Sequence, residues 1–391
     1  LRGPRGYRHG SDLQELGIIP DGALLIRNGV VVEAGSTRRL ENLAAARGAI
    51  EVNAAGRVVM PGFVDSHTHL VFPPPGDGEE SAARTVRAST AQRIAARSRA
   101  WLLAMARHGT TTVEAKTGCD HKHGAQAKLL RVLRALHGDP LDVIASFQLR
   151  LPEGDAAETV EWAIGEFLPA IRKRRLARFA DISWDADPAH AECFGRCLRA
   201  ARNLGLPCKI HVHPACTGAA IRQGVANLAV SIDHWEGAGA ADVELMAGAG
   251  SMATVMPGAW LRRDGPLPPV RALLDAGVPL ALATDFAPQL ARSLNMQTVV
   301  AMACRWMGMT LEEAISAATV NGAHALGSGG KVGSLEPGNA ADLIVLNTSD
   351  YRELACHFGA NLVFLTMKRG EFIYQEGEVA PLDAADLRAA W

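Results

Sequence analysis

Pro61-Gly62-Phe63-Val64-Asp65-Ser66-His67-Thr68-His69 is a short apolar run that closes on two histidines one residue apart. Along a strand, residues i and i+2 point to the same side, so His67 and His69 can direct both imidazoles at one point. Neutral imidazole is a common ligand for divalent transition metals. Two same-side histidines make half a mononuclear site, and the remaining ligands must come from elsewhere. Three further strand-like runs end on suitable side chains: Lys209-Ile210-His211, Ser231-Ile232-Asp233-His234 and Ala281-Leu282-Ala283-Thr284-Asp285. Functional residues at the carboxyl ends of successive strands are the habit of a parallel (β/α)8 barrel.

The spacing outward from these endings supports that fold. Eight strands are predicted at 62–70, 110–116, 142–149, 179–184, 207–213, 228–234, 251–256 and 279–285. Helices are predicted between them at 81–108, 124–137, 157–174, 188–204, 215–224, 239–248 and 268–276, with two more at 293–307 and 311–326. Asp187-Pro188 suits a helix cap followed by proline in the first turn, and Gly205 suits the stop of the same helix. Strands alternating with helices through short loops build a parallel sheet, and eight repeats close it into a barrel. Residues 21–60 and 336–379 instead show short alternating runs between glycines. Neither end has enough strands for a core of its own, so the two are expected to pair into one small β-sandwich beside the barrel. The expected division is 1–60 and 336–391 for the sandwich halves and 61–335 for the barrel.

A chain of 391 residues is ample for that architecture. Forty Lys and Arg against 41 Asp and Glu leave a net charge of −1, and no basic run points to nucleic acid. Apolar stretches are too short and interrupted for a membrane span, and none reads as a signal peptide. Seven scattered cysteines without compact spacing fit reduced thiols in a cytoplasmic enzyme.

Several stretches together resemble the amidohydrolase superfamily, and within it the imidazolonepropionase branch. They are Glu15-Leu16-Gly17-Ile18-Ile19, the His67/His69 block, Gly109-Thr110-Thr111-Thr112-Val113-Glu114 and Ala283-Thr284-Asp285-Phe286. Asn295-Met296-Gln297, Gly333-Ser334-Leu335-Glu336-Pro337-Gly338 and Asp350-Tyr351-Arg352-Glu353-Leu354 complete the set. The resemblance implies one divalent metal ion, zinc foremost with iron or manganese as alternatives, held by His67, His69, His211 and Asp285. It places His234 beside the metal-bound water. It also implies a small heterocyclic substrate, and a homodimer is one option for the assembly. In such a site Asp285 can relay a proton to the leaving nitrogen, and His234 can orient the nucleophile or stabilise the developing oxyanion.

The departures from the branch concern the substrate. The carboxylate or amide expected three residues after the histidine at 211 is Pro214, which cannot relay protons. His213 falls on the strand side of His211 and is a replacement candidate, as a catalytic group, a second metal ligand or a supporting imidazole. The arginine, tyrosine and histidine that line the branch's acid pocket have no clear counterparts, although Arg150 falls near one of them. After Asp285, the expected asparagine, glycine and hydroxyl residue are Ala287, Gln289 and Leu290. Arg150, His121 and Gln289 are therefore the substrate-contact candidates, and a substrate other than imidazolone propionate is expected. Glu114 and Lys116 read as an ion pair lining the barrel. Tyr351 and Arg352 read as structural. The reaction expected is hydrolytic opening of a cyclic amide, with hydrolytic deamination of a heterocycle or a metal-binding protein without turnover as alternatives.

Overall fold

Two strands, β1 (Gly22–Arg27) and β2 (Val30–Ser36), form an antiparallel hairpin near the start of the chain. After β3 (Val59–Pro61) come eight parallel strands. These are β4 (Phe63–Asp65), β5 (Thr110–Lys116), β6 (Asp142–Arg150), β7 (Phe179–Trp184), β8 (Cys208–Val212), β9 (Ser231–Asp233), β10 (Met252–Val255) and β11 (Leu280–Leu282). They pair in strict chain order, and β11 returns to the first through a parallel bridge between Thr68 and Phe286. His69 N donates to Phe286 O at 2.7 Å at that seam. The chain ends in β12 (Leu343–Leu346), β13 (Val363–Lys368) and β14 (Glu371–Gln375). The computed structural model describes residues 6–74, 78–120, 122–151, 156–184, 190–213, 217–263, 265–289 and 293–377.

The sequence of β5 shows why the strands lie where they do. All seven residues of Thr-Thr-Thr-Val-Glu-Ala-Lys are buried, as strands covered on both faces require. Period two divides them: Val113 and Ala115 join the apolar layer under the helices, whereas Glu114 and Lys116 turn inward. Helix Ala91–Arg107 packs on β5 and contributes Ile94, Leu102 and Met105 to that layer, all fully buried.

The chain ends meet as expected. β3 pairs antiparallel with β12, giving a four-stranded sheet in the order β14-β13-β12-β3. The hairpin packs Leu24 and Ile26 against Leu343, Val345, Leu365 and Met367 of that sheet. Not all of the first 60 residues belongs there. Leu13 and Leu16 enter the main core, and the buried Arg8 donates to Glu15 O and Ser316 Oγ beside the helix that follows the barrel.

Two of the expected helices are each divided in two, and the helix Pro257–Arg263 was not among those expected. The single helix expected at 81–108 is two, Glu79–Ala88 and Ala91–Arg107. Ser89 is extended, and Thr90 caps the second by accepting from Arg93 N, the competition with helix continuation that short hydroxyl side chains offer. The helix expected at 311–326 breaks at Ala318-Thr319 into Leu311–Ala317 and Val320–Ala325. Gly205 follows helix Ala191–Asn203 with φ +67°, as a helix stop requires. The expected cap at Asp187-Pro188 lies outside the described residues. Cys119, Cys193, Cys197, Cys208, Cys304 and Cys356 are free thiols.

Candidate metal centre

The two histidines of the opening motif lie just past the end of β4, in the segment that spans the seam. Their Nε2 atoms are 3.3 Å apart. Asp285 Oδ1 stands 3.7 Å from His67 Nε2 and 3.8 Å from His69 Nε2. His211, the fourth residue of β8, brings its ring within 5.2 Å of His67 and 4.3 Å of His234, centre to centre. Among the described residues, three groups thus share His67: one with His69 and Asp285, one with His211 and His234, and one beneath them with Glu114 and Asp233.

Strand geometry alone does not explain the last two residues of each ending. Asp233 and His234 are consecutive, as are Thr284 and Asp285, and consecutive side chains on a strand diverge. The backbone resolves this. His234 has φ +73° and Asp285 φ +55°, left-handed conformations that cost a non-glycine residue about 1–3 kcal/mol. Each turns the side chain that would have pointed outward back over the barrel mouth. The turn at Asp285 is clipped by the fully buried Asp65, which accepts from Thr284 N at 3.0 Å and from Thr284 Oγ1 at 2.6 Å. Burial pushes the Asp65 carboxyl up to about 7, against the pull of those bonds.

Beneath the histidines the barrel interior is ionic. Lys116 Nζ bonds Asp181 Oδ2 at 2.8 Å and Asp233 Oδ2 at 2.7 Å, and Lys209 Nζ bonds Glu114 Oε2 at 2.5 Å. All of these side chains are fully buried. Glu114 and Lys116 do approach each other, at 3.7 Å, yet the stronger partner of each is on another strand. Burial alone would raise the Asp233 carboxyl; Lys116 and Lys209 hold it well below its usual range. Its Oδ2 lies 2.8 Å from His67 Nδ1.

The donor set suits a divalent ion. Burial, reinforced by Lys116, holds His67 and His69 well below the ordinary imidazole value, and burial with the neighbouring rings does the same for His211. Neutral rings present lone pairs. Nδ1 of His69, Nδ1 of His211 and both ring nitrogens of His234 are buried without a hydrogen-bond partner, an expense that the group as a hydrogen-bonded cluster does not explain. Imidazole nitrogens with a carboxylate oxygen are the ligands of zinc and related ions.

Comparison with known proteins identifies the family. The amidohydrolase family profile matches residues 58–373. Imidazolonepropionase from Porphyromonas gingivalis is 34% identical over 380 residues, 90% of this chain and 89% of its own. Imidazolonepropionase from Geobacillus kaustophilus is 32% identical, covering 94% and 93%. The chain belongs to the amidohydrolase family, in its imidazolonepropionase-like branch. A crystal structure of an adenosine deaminase from Xanthomonas campestris with bound zinc superposes with a TM-score of 0.74 over 98% of this chain and 95% of its own. At 21% identity that likeness speaks to the fold.

The other expected site residues of this amidohydrolase are distributed unevenly. Arg150 ends β6, half-buried, and its charge is felt at His69. Gln289 is half-buried four residues past Asp285. His213 is exposed, one residue beyond the end of β8 and outside the three metal-competent groups, because the period-two argument stops with the strand at Val212. His121, Pro214 and Leu290 lie outside the described residues. His123 stacks on Trp162 with ring centres 3.7 Å apart and planes 10° from parallel. Tyr351 Oη donates to Glu312 and Arg352 pairs with Asp350, as structural residues would. Asn295 caps helix Met296–Trp306, and Gln297 ties it to His108 and Asn361.

Three residues escaped the sequence reading. Asp233 was visible only as the neighbour of His234, and Asp65 only as part of an apolar run. Arg262, at the end of the short helix Pro257–Arg263 after β10, donates from Nη2 to Asp285 Oδ2 at 3.3 Å. The Arg-Arg dipeptide at 262–263 carries no spacing signal that could have singled it out. Among the described residues, no helix is long and apolar enough to cross a membrane.

Proposed function

We propose that this chain is a metal-dependent hydrolase that opens a cyclic amide of a small heterocycle at a C–N bond. The observation that carries the reading is that His67 groups with His69 and Asp285 on one side and with His211 and His234 on the other, at the carboxyl end of the barrel; the ligands of this reading are His67, His69, His211 and Asp285. These four would hold one divalent ion, zinc foremost, with iron or manganese as the other candidates. Such an ion supplies a nucleophile from water at neutral pH and polarises the carbonyl under attack. Asp285, with Oδ1 turned toward the imidazoles, takes a proton at Oδ2 and returns it to the ring nitrogen as the C–N bond breaks. Arg262 holds that oxygen in place. His234, buried and pointed over the mouth by its left-handed backbone, stabilises charge on the carbonyl oxygen. In this reading Arg150, at the end of β6, and Gln289, four residues past Asp285, contact the substrate, and His121 is the third candidate from the sequence.

The substrate proposed is not imidazolone propionate. Pro214, Ala287, Gln289 and Leu290 replace the relay and the acid-binding groups expected of the branch. A carboxylate pocket needs charge-assisted donors, and these residues supply few.

Metal analysis of purified protein should find one ion per chain, and His67→Ala should lose ion and activity together. Imidazolones, hydantoins, lactams and aminated heterocycles should then be screened for ring opening and for ammonia. The expected result is ring opening without ammonia, with imidazolone propionate turned over below the usual enzyme range of about 10⁴ M⁻¹s⁻¹. Stoichiometric ammonia would make the chain a deaminase, and a protein that binds no metal would overturn the reading.

A further inference from the structure

Among the described imidazoles of the centre, His67 is the one with a carboxylate at hydrogen-bond distance from its far nitrogen; Glu236 Oε1 stands 3.6 Å from His234 Nδ1. Asp233 Oδ2 lies 2.8 Å from His67 Nδ1, whereas the Nδ1 atoms of His69 and His211 have no hydrogen-bond partner. Asp233 already accepts from Lys116 Nζ at 2.7 Å and from Ser231 Oγ at 2.8 Å, with Lys209 Nζ 3.9 Å away. A carboxylate in that company is ionised and can only accept, so the proton between it and His67 belongs to Nδ1. The lone pair is then on Nε2, the nitrogen that faces His69 and Asp285.

We propose that Asp233 is the positioning residue of the metal centre: it selects the Nδ1–H tautomer of His67 and fixes its ring, and Lys116 fixes Asp233. The proposal rests on the ligand set given above. Asp233 is fully buried, below the histidines rather than among the groups at the mouth, so it does not touch substrate. Its anchors come from different parts of the barrel: Lys116 from β5, Ser231 from β9 itself, and Asp181 on β7 through Lys116. His67 belongs to the group with His69 and Asp285 and to the group with His211 and His234, and the orientation of one ring therefore sets how these two halves of the centre meet. Partners of this kind raise the basicity of a ligating imidazole as well as holding it, and their removal commonly costs 10- to 100-fold in metal affinity.

Asp181 provides the matched control. It bonds the same Lys116 at 2.8 Å but does not reach His67. Zinc affinity of the full chain should be measured by competition with a chelator for wild type, Asp233→Asn, Asp181→Asn and Ser231→Ala. Asp233→Asn should weaken zinc binding by about 10- to 100-fold. Asp181→Asn should lower thermal stability while leaving affinity nearer to wild type. Ser231→Ala, which keeps every charge, should weaken zinc binding in the same direction but less. Nitrogen-15 NMR of the metal-free protein supplies a second readout: the Nδ1–H tautomer of His67 in wild type, lost or mixed in Asp233→Asn. Wild-type affinity in Asp233→Asn, an equal loss in Asp181→Asn, or an Nε2–H tautomer of His67 would overturn the proposal. Zinc retained by His67→Ala would instead overturn the ligand set, while the tautomer readout would still judge Asp233.

Discussion

His211 and His213 are two residues apart, yet one ring joins the centre and the other is exposed beyond the strand end. The ladder that holds β8 in the sheet ends at Val212, and past that point side-chain direction is no longer set by the pleat. A side chain exposed at the rim can still meet a substrate without touching a metal. His213→Ala should therefore keep the full metal content and lower the turnover rate by about 10²-fold, the low end for a positioned acid–base group. Metal lost with the rate would make it a ligand; an unchanged rate would make it a surface histidine. His234 and Asp285 show the opposite case, side chains that the pleat would send outward and that a left-handed residue brings in.

The elements that carry those left-handed residues are short, and the turn at Asp285 is held by a specific clip. The turn after β11 depends on Thr284, whose N–H and hydroxyl both bond Asp65 and whose Oγ1 accepts from Phe286 N at 3.0 Å. Thr284→Val keeps the shape and removes the hydroxyl, leaving a buried carboxyl with one bond fewer. A loss of about 1–3 kcal/mol is expected from the unsatisfied group, together with reduced activity as Asp285 loses its register. Chemical denaturation and steady-state rates test this. Unchanged stability would mean that the turn is held by packing alone. The helix after β10 has a comparable task in carrying Arg262 to Asp285, although only seven residues long.

At the scale of the whole molecule, the neutral histidines make the fold sensitive to acid. Burial holds His67, His69 and His211 well below 6.5, so between 6.5 and their folded values the unfolded chain binds protons that the native protein refuses. Stability from these groups is complete above about pH 6.5 and is lost as pH falls below it. Two buried carboxyls oppose this, Asp65 raised to about 7 and Asp181 to about 6, because they bind protons in the native state first. Three imidazoles outweigh two carboxyls. The melting temperature of metal-free protein should thus be level near pH 7–8 and fall from about pH 6.5 toward 5. A profile that rises on acidification would show that the carboxyls dominate.

The barrel and the strand ends that carry its metal-competent side chains were legible in the sequence because both rest on local periodicity. Apolar runs ending in His67/His69, His211, His234 and Asp285 alternate with helical stretches, and all eight strands fall within the expected ranges or within a residue of them. The pairing of the chain ends was legible because neither could bury its strands alone. Tertiary structure alone decided which side chains meet across the barrel. Asp233 beneath His67, Lys116 between Asp181 and Asp233, Asp65 under Thr284 and Arg262 on Asp285 join residues from 23 to 219 positions apart. Closure of the barrel brings these groups into a water-free interior, where an unpaired charge is costly. Partners are therefore selected by distance in the folded barrel, which no local pattern records.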